Sequence, residues 1–214
     1  MMKIKYILTF FALTTAFAED VSFKSRISSL PFDKQTQIKK YAWHPNCPIS
    51  LNNLAYIELT YWGYDHQPHR GILIVNKTLA IEVVAIFKIL YERRFPIQRM
   101  EPIEVFKGND MAAMKANNTA AYHCRPITGK VGIFSQHSYG RAIDINPLVN
   151  PYQKGNIILP PNGDIFLNRD QSYPGKIVRG DEVYREFKKY GWKWGGDWST
   201  LKDYQHFEKP VRHR

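Results

Sequence analysis

The feature that most constrains the fold is the order of the hydrophobic patterns in the first half of the chain. Residues 54–62 are rich in strand-forming side chains, and residues 71–75 form a second apolar run after a turn-forming segment. This order predicts a β-hairpin with a fairly long loop. Asn76 then has the character of an N-cap, and apolar residues recur at helical spacing from Leu79 to Phe95. Pro96 ends that pattern, so an amphipathic helix is predicted to cover the hairpin.

The second half of the chain alternates shorter elements with a long irregular segment. Residues 103–106 are predicted to form a strand and residues 110–116 a short helix. Residues 146–180 contain several prolines and glycines and are predicted to be a long ordered excursion that shapes a cleft. A second principal helix is predicted at residues 181–190. The fold class is therefore α+β: a small, mostly antiparallel sheet packed by two principal helices, with long proline-rich loops.

The N-terminus has the layout of an export signal. Lys3 and Lys5 precede a short apolar run over residues 6–15, and Ala16-Phe17-Ala18 offers a small-residue cleavage site. The run is too short to span a bilayer as a helix, and an uncleaved anchor is the alternative interpretation. The predicted organisation has three parts: residues 1–18 as a signal peptide, residues 19–46 as an N-terminal arm and residues 47–214 as the main domain.

The charge of the chain is strongly positive. Cleavage after Ala18 would remove Lys3 and Lys5 and lower the formal net charge from +11 to +9. A basic exported protein suits anionic cell-wall polymers, although the charge could equally serve solubility alone. Export and the lack of a nucleic-acid-binding motif count against nucleic acid, so we do not expect it as a partner. No later segment is long and apolar enough to cross a membrane, so we expect no stable membrane insertion. With the signal-like N-terminus, we expect a periplasmic or secreted location. We also expect a monomer.

The chain has two cysteines, Cys47 and Cys124. In an oxidising compartment one disulfide between them is the default expectation. Cys124 stands beside His123, which would suit a nucleophile, but an exported free thiol is easily oxidised. Two cysteines without a Cys-x-x-Cys pair do not favour a cysteine-based zinc site.

Two short segments carry residue types suited to a catalytic metal. The first contains His137 and Asp144, and the second contains Asp203 and His206. Hydrolytic zinc sites commonly combine histidine and carboxylate ligands and leave one position for water. Asp203, three residues before His206, could then act as a general base. From spacing alone a packed or surface histidine remains the competing interpretation at each position.

Taken with their neighbours, these segments resemble a known family. The motif Ser-x-His-x-x-Gly-x-Ala-x-Asp, followed much later by Asp-Tyr-x-His-Phe, is similar to that of the zinc D-alanyl-D-alanine carboxypeptidases. This family includes vancomycin-resistance (VanY-like) carboxypeptidases and L-alanyl-D-glutamate endopeptidases on the Hedgehog/DD-peptidase fold. The motif residues are Ser135, His137, Gly140, Ala142, Asp144, Asp203, Tyr204, His206 and Phe207. Further segments, among them Cys124-Arg-Pro126 and Gly191-Trp-x-Trp-Gly-Gly-Asp197, resemble the exported branch near the endopeptidases.

The resemblance implies a role for each matching residue. It implies that three residues bind a zinc ion: His137, Asp144 and His206. Asp203 would be the general base on the attacking water, where several relatives have Glu. Arg125 would polarise the scissile carbonyl or hold the charge on its oxygen, with a structural ion pair as the alternative. Ser135 would contact substrate or cap a turn, and Asp197 would orient a ligand histidine.

The resemblance also implies the substrate and reaction. The expected activity is zinc-dependent hydrolysis of a peptide bond in peptidoglycan stem peptides. Both an L-Ala–D-Glu endopeptidase and a D-Ala–D-Ala carboxypeptidase fit the motifs. The alternative of another class is a non-catalytic wall-binding or signalling module on the same fold. A serine hydrolase is disfavoured because the chain has no Gly-x-Ser-x-Gly motif.

Overall fold

A computed structural model describes residues 22–127 and 129–210 of the 214-residue chain. The predicted signal peptide lies outside the described residues. The helices are α1 (Phe32–Tyr41), α2 (Ala80–Glu92), α3 (Asp110–Lys115) and α4 (Glu182–Lys189). The strands are β1 (Ser25–Ser29), β2 (Leu54–Trp62), β3 (Pro68–Asn76), β4 (Arg99–Met100), β5 (Asn118–Thr119), β6 (Ala142–Asp144), β7 (Tyr152–Lys154), β8 (Ile157–Leu159), β9 (Lys193–Trp194), β10 (Lys202–Asp203) and β11 (His206–Glu208). Short segments of 3₁₀-helix cover Leu51–Asn53, Lys77–Leu79, Ile103–Phe106, Gln136–Tyr139, Pro161–Phe166 and Gly195–Asp197.

The predicted hairpin forms the centre of the molecule. β2 and β3 pair antiparallel along their whole lengths, and β1 adds to the other edge of β2. The loop is shorter than expected because β3 already begins at Pro68. β2 is buried on both faces: Ile57 and Leu59 enter one hydrophobic core, whereas Leu54 and Tyr56 enter another. Burial on both faces explains why the strand reads as a nearly continuous apolar run.

The two principal helices pack on the first core, and the α+β class is confirmed. Val83 and Ile86 of α2 and Phe187 of α4 are buried in the cluster that also contains the inner face of β2. The predicted cap is confirmed as well, because the Asn76 side chain accepts a hydrogen bond of 3.1 Å from the Thr78 amide. α2 ends at Glu92 rather than at Phe95, since Arg94 has a left-handed backbone with φ of 55°.

One secondary-structure prediction is wrong. Residues 103–106 form a 3₁₀ turn rather than a strand. The turn follows the extended residue Pro102 and closes at Lys107, whose φ of 54° reverses the chain. Such a tight segment has no room for strand pairing, and its apolar residue Ile103 is buried in the second core instead. The short helix predicted at 110–116 is confirmed as α3.

The segment predicted as an N-terminal arm is part of the folded structure from residue 25 onwards. β1 pairs with β2, and Ile38 of α1 is fully buried in the second core. The boundary at residue 47 stays a prediction. The disulfide is confirmed: Cys47 and Cys124 are bonded across 77 residues and tie the end of this segment to the middle of the chain.

The proline-rich excursion is ordered and contains structure of its own. β7 and β8 form a small hairpin, and β10 joins it on the other side of β7. Arg169 holds the segment together through hydrogen bonds to three carbonyl groups and to Asn150. Within the part of the chain that the structure describes, none of the helices combines the length and apolar character that a membrane span requires.

Candidate active site

A three-stranded antiparallel sheet in the order β6-β11-β9 carries the candidate site. Ile143 and Phe207 face each other across β6 and β11, and both are fully buried in the first core. Successive residues of a strand point to opposite faces. Asp144 and His206, the next pair in the register, therefore lie on the other face of the sheet. The hydrophobic core thus fixes two of the predicted metal ligands side by side.

The third predicted ligand lies in the 3₁₀ turn before β6. Ser135 caps this turn, with its hydroxyl oxygen accepting a hydrogen bond of 3.3 Å from the His137 amide. Gly140 ends the turn with φ of 63°, and a Cβ there would lie 2.5 Å from the Asn76 amide nitrogen. Glycine favours that backbone, and the lack of a Cβ permits that approach. The Asn76 side chain also donates to the Tyr139 carbonyl, so the turn that bears His137 is docked on the end of β3.

The structure brings the three predicted ligands together in a triangle. His137 Nε2 lies 3.1 Å from Asp144 Oδ2, and His206 Nδ1 lies 2.9 Å from Asp144 Oδ1. The third edge, from His137 Nε2 to His206 Nδ1, is 3.2 Å. Both imidazoles are buried, and the Asp144 carboxylate is partly buried.

The outer nitrogens of both rings have acceptors. His137 Nδ1 lies 2.5 Å from the Ala121 carbonyl oxygen, which can only accept, so this nitrogen carries the proton. His206 Nε2 lies 3.3 Å from Glu208 Oε2 and donates to that carboxylate. The inner nitrogens, His137 Nε2 and His206 Nδ1, are thereby directed at the triangle. Outer acceptors of this kind orient histidine ligands in metal sites.

The charges of the triangle perturb the pKa values of its members. Burial would raise the pKa of Asp144, but His137 and His206 outweigh it and hold that pKa well below its usual range. Burial would lower the pKa of His206, but the hydrogen bonds to Asp144 and Glu208 raise it to about 10.

These residues fit a zinc ion. Two imidazoles and one carboxylate are a common donor set of catalytic zinc. Tetrahedral zinc with ligand bonds of about 2.0–2.1 Å needs ligand atoms about 3.3 Å apart, and the three edges measure 2.9 to 3.2 Å. The donor atoms converge from a turn and two strands, so closing on an ion requires only small shifts.

The triangle forms part of the wall of a cleft of about 690 Å³. Asp203, at the end of β10, also lines this cleft. Burial raises the pKa of Asp203 to about 7, and the charge of Asp144 adds to this against the opposing effect of His206. Gly195 makes room for it: a Cβ there would lie 2.5 Å from the Asp203 carbonyl oxygen and 2.8 Å from its Cβ. The predicted base thus lies in the same cleft as the predicted ligands.

Arg125 and Ser135 line the cleft too, so the structure brings the three predicted ligands, the predicted base and these two residues to one cleft. Arg125 Nε forms an ion pair of 2.7 Å with Asp110 Oδ2. Its backbone amide donates to Ser138 Oγ at 2.9 Å, which ties it to the turn that carries His137. Ser135 acts as a turn cap, one of its two predicted roles, with its side chain at the edge of the cleft. The catalytic or binding role of each residue stays a prediction.

Sequence reasoning missed some members of the site and misplaced one. Glu208 was not predicted. It could have been, because residues i and i+2 of a strand lie on the same face, which makes Glu208 a neighbour of His206. Asp110 was not predicted because its pairing with Arg125 leaves no local pattern. The predicted role of Asp197 is wrong: it pairs with Arg179 at 2.8 Å and contacts the Tyr184 hydroxyl rather than a ligand histidine.

A second group of potential ligands has a different explanation. His44, Cys47 and Cys124 lie within reach of a common point. The two cysteines form the disulfide, however, and a disulfide sulfur is not the thiolate that a metal needs. His44 Nε2 contacts Cys124 Sγ at 3.5 Å and packs against the bond. This group is therefore a structural cluster.

A comparison with known protein families matches the part of the chain that supplies most of the residues of this cleft. A family model described as D-alanyl-D-alanine carboxypeptidase matches residues 128–209. The matched range contains the three triangle residues, Asp203 and Ser135, whereas Arg125 lies before it. No solved structure gives a significant match to the chain. The family match supports a peptidase for peptidoglycan-type peptides.

Proposed function

We propose that this chain is an exported zinc peptidase that hydrolyses a peptide bond in the stem peptides of peptidoglycan. The observation that carries the proposal is the triangle of His137 Nε2, Asp144 and His206 Nδ1, with edges of 2.9 to 3.2 Å on the wall of a cleft. The family match over residues 128–209 supports the substrate class.

The proposed metal site needs no rearrangement of the fold. His137, Asp144 and His206 would hold the ion, and Glu208 and the Ala121 carbonyl would orient the two rings. When bound, zinc supplies a Lewis acid that makes water more acidic and polarises the carbonyl under attack. The protein supplies the cleft, the base and the positive charge.

Asp203 is the proposed general base and general acid. Its pKa, raised to about 7 chiefly by burial, is well matched to taking and returning a proton near neutral pH. Within the described residues, its buried Oδ1 atom accepts no hydrogen bond, which leaves it available to an incoming proton donor. Asp203 takes the proton of the attacking water and then delivers it to the leaving amine.

Arg125 is the proposed partner of the substrate oxygen. Charge develops on the carbonyl oxygen as water attacks, and a fixed cation in a partly desolvated cleft stabilises that charge. The Arg125 side chain is largely buried and lines the cleft. Asp110 lies beside its Nε, and Nη1 makes one long contact with the Pro126 carbonyl, so most of the guanidinium donors remain for substrate.

Two bonds fit the proposal, and they differ in what the cleft must recognise. A D-Ala–D-Ala carboxypeptidase binds a free C-terminal carboxylate, whereas an L-Ala–D-Glu endopeptidase binds the middle of the stem. The description of the matching family favours the first, and the sequence segments similar to the exported endopeptidases favour the second. Lys130 and Lys154 line the cleft and offer positive charge to either substrate.

Export is proposed on the signal-like N-terminus. The disulfide between Cys47 and Cys124 supports it, because such bonds persist in oxidising compartments. The expected mature chain begins near Glu19 and acts in the periplasm or outside the cell.

The deciding experiment is digestion of purified muropeptides, followed by mass spectrometry, with metal content measured on the same samples. We expect one zinc per chain, loss of hydrolysis with chelator and recovery when zinc is returned. Loss of a single Ala identifies the carboxypeptidase, and a split stem identifies the endopeptidase. His137→Ala should lose both metal and activity, whereas the exposed control His66→Asn should keep both. Stoichiometric zinc without hydrolysis of any muropeptide would favour the non-catalytic wall-binding module.

A further inference from the structure

Asp110 makes two ion pairs on the rim of the cleft. Its Oδ1 atom lies 2.8 Å from His123 Nδ1, and its Oδ2 atom lies 2.7 Å from Arg125 Nε. Asp110 is the first residue of α3. The preceding Asn109 caps that helix, and its side chain accepts a hydrogen bond of 3.0 Å from the Ala112 amide. Each carboxylate oxygen of Asp110 therefore has its own partner on the segment that follows β5.

We propose that Asp110 is a positioning residue that acts in the reaction through Arg125. This inference rests on the proposed peptidase function, in which the Arg125 guanidinium meets the substrate oxygen. Asp110 itself has no part in proton transfer or metal binding. It fixes the direction in which the guanidinium presents its remaining donors.

The backbone of Arg125 is already fixed from the other side. Its amide donates to Ser138 Oγ, and its carbonyl accepts from the Ser135 amide at 3.0 Å and from Ser138 Oγ at 2.7 Å. These bonds join the base of the side chain to the turn that carries His137. The several rotatable bonds between Cα and the guanidinium remain free unless something holds the far end.

Asp110 is the group that holds the far end. An arginine side chain has about 2 kcal/mol of rotamer entropy to lose when it is ordered. The ion pair at Nε holds the charged head of Arg125 against the Asp110 carboxylate and leaves the four Nη hydrogens directed away from it. Nη1 makes one long contact of 3.4 Å with the Pro126 carbonyl of its own segment. A donor group restrained before substrate arrives is what effective oxyanion stabilisation requires.

The ion pair with His123 keeps the Asp110 carboxylate in place and charged. Burial would raise the pKa of Asp110, but the hydrogen bond from His123 and the charge of Arg125 outweigh it and lower that pKa. His123 is itself held, because its amide donates to the His137 carbonyl at 3.3 Å and its neighbour Cys124 is in the disulfide. Asp110 thus couples α3, the disulfide-bonded segment and Arg125.

A double-mutant cycle tests the proposal. The variants are Asp110→Asn, Arg125→Ala and the double variant, with kcat and KM measured on the muropeptide that the wild type cuts. We expect Asp110→Asn to lower kcat about 10-fold or more with little change in KM or zinc content. In the Arg125→Ala background the same change should have no further effect on kcat. Glu101→Gln is the matched control, since Glu101 pairs with Arg99 Nε at 2.6 Å outside the cleft.

A second measurement does not depend on turnover. In crystal structures, the Arg125 guanidinium should lie against residue 110 in a single orientation in wild type and in Glu101→Gln. In Asp110→Asn it should leave that orientation or occupy several. Equal kcat losses with and without Arg125, loss of zinc in Asp110→Asn, or an unchanged guanidinium orientation in Asp110→Asn would each overturn the proposal. A wild type that cuts no muropeptide would instead contradict the peptidase function, while the crystal structures still report on the pairing.

Discussion

His206 lies directly opposite Asp144 in the antiparallel register of β11 and β6. Directly opposed side chains have Cβ atoms about 4.5–5.5 Å apart, so the strand register alone brings an imidazole and a carboxylate within bonding reach of one ion. The neighbouring pair, Phe207 and Ile143, is fully buried in the core. A slip of one residue in either strand would turn its ligand into the core and its core residue toward the cleft. The hydrophobic core therefore protects the geometry of the candidate metal site.

Glu208→Gln is expected to weaken zinc binding without removing a ligand. The carboxylate accepts from His206 Nε2 at 3.3 Å, and its charge makes the ring a better donor to a metal. We expect the zinc affinity to fall about 10-fold to 100-fold, the usual range for such partners. Competition with a chelator of known affinity measures it. Glu92→Gln, which removes a surface acid near the end of α2, should leave the affinity unchanged, and equal affinities in all three proteins would contradict the role.

Gly195→Ala is expected to reduce turnover while leaving zinc bound. A Cβ at residue 195 would lie 2.5 Å from the Asp203 carbonyl oxygen, so the β10 segment must shift. Displacing the base Asp203 should lower kcat more than it weakens substrate binding, and we expect kcat to fall at least about 10-fold. Gly71→Ala is the matched control because its Cβ would crowd the Met100 side chain at 2.6 Å away from the cleft. A normal kcat with full zinc in Gly195→Ala would show that the position of Asp203 is not limiting.

Removing the disulfide is expected to lower stability substantially. The bond closes a loop between residues 77 apart, and the chain-entropy model gives about 4 kcal/mol for a loop of that size. We expect the Cys47→Ser, Cys124→Ser double variant to lose about 2–4 kcal/mol of unfolding free energy. Denaturant titration measures this, with the wild type in the presence of reductant as the comparison. A loss below about 0.5 kcal/mol would contradict the expected contribution.

The Asp110 ion pairs are expected to make stability fall in acid. The pKa of Asp110 is lower in the folded chain than its usual value of 3.8. A group of this kind stabilises the fold fully above that usual value and loses its contribution as pH falls through the folded value. The unfolding free energy of Asp110→Asn should therefore lie about 1 kcal/mol below wild type at neutral pH. The difference should shrink below about pH 4, and a difference that is constant down to pH 2 would contradict it.

The parts of the fold with a local pattern could be predicted from the sequence. The β2–β3 hairpin, the Asn76 cap, α2 and α4 all follow from periodicity and capping residues, and the structure confirms them. The segment at residues 103–106 has strand-forming residues but turns tightly between Pro102 and Lys107. Its conformation depends on burial of Ile103 in the second core, which a four-residue pattern does not reveal.

The candidate site was predictable only in part. His137, Asp144, Asp203 and His206 were identified because their motifs resemble a known family, and the structure brings them to one cleft. Spacing along the chain could not give their proximity, which depends on the register of β6 with β11. Two other contacts also lack a local sequence pattern. They are the contact of Gly195 with Asp203 and the pairing of Asp110 with Arg125. Such relationships appear only when the backbone is folded.

The pairing of β10 with β7 has a consequence for how this cleft could diversify. Asp203 is fixed opposite Tyr152, at the base of the β7–β8 hairpin, and a Cβ added at Gly155 in the tip of that hairpin would meet nothing within 4 Å. The base of the hairpin is thus rigidly joined to the reaction chemistry, whereas its tip is structurally unconstrained. Lengthening or recomposing the tip would change which peptides fit beside Lys154 and leave the floor of the cleft intact. The hairpin is the natural place to re-engineer selectivity.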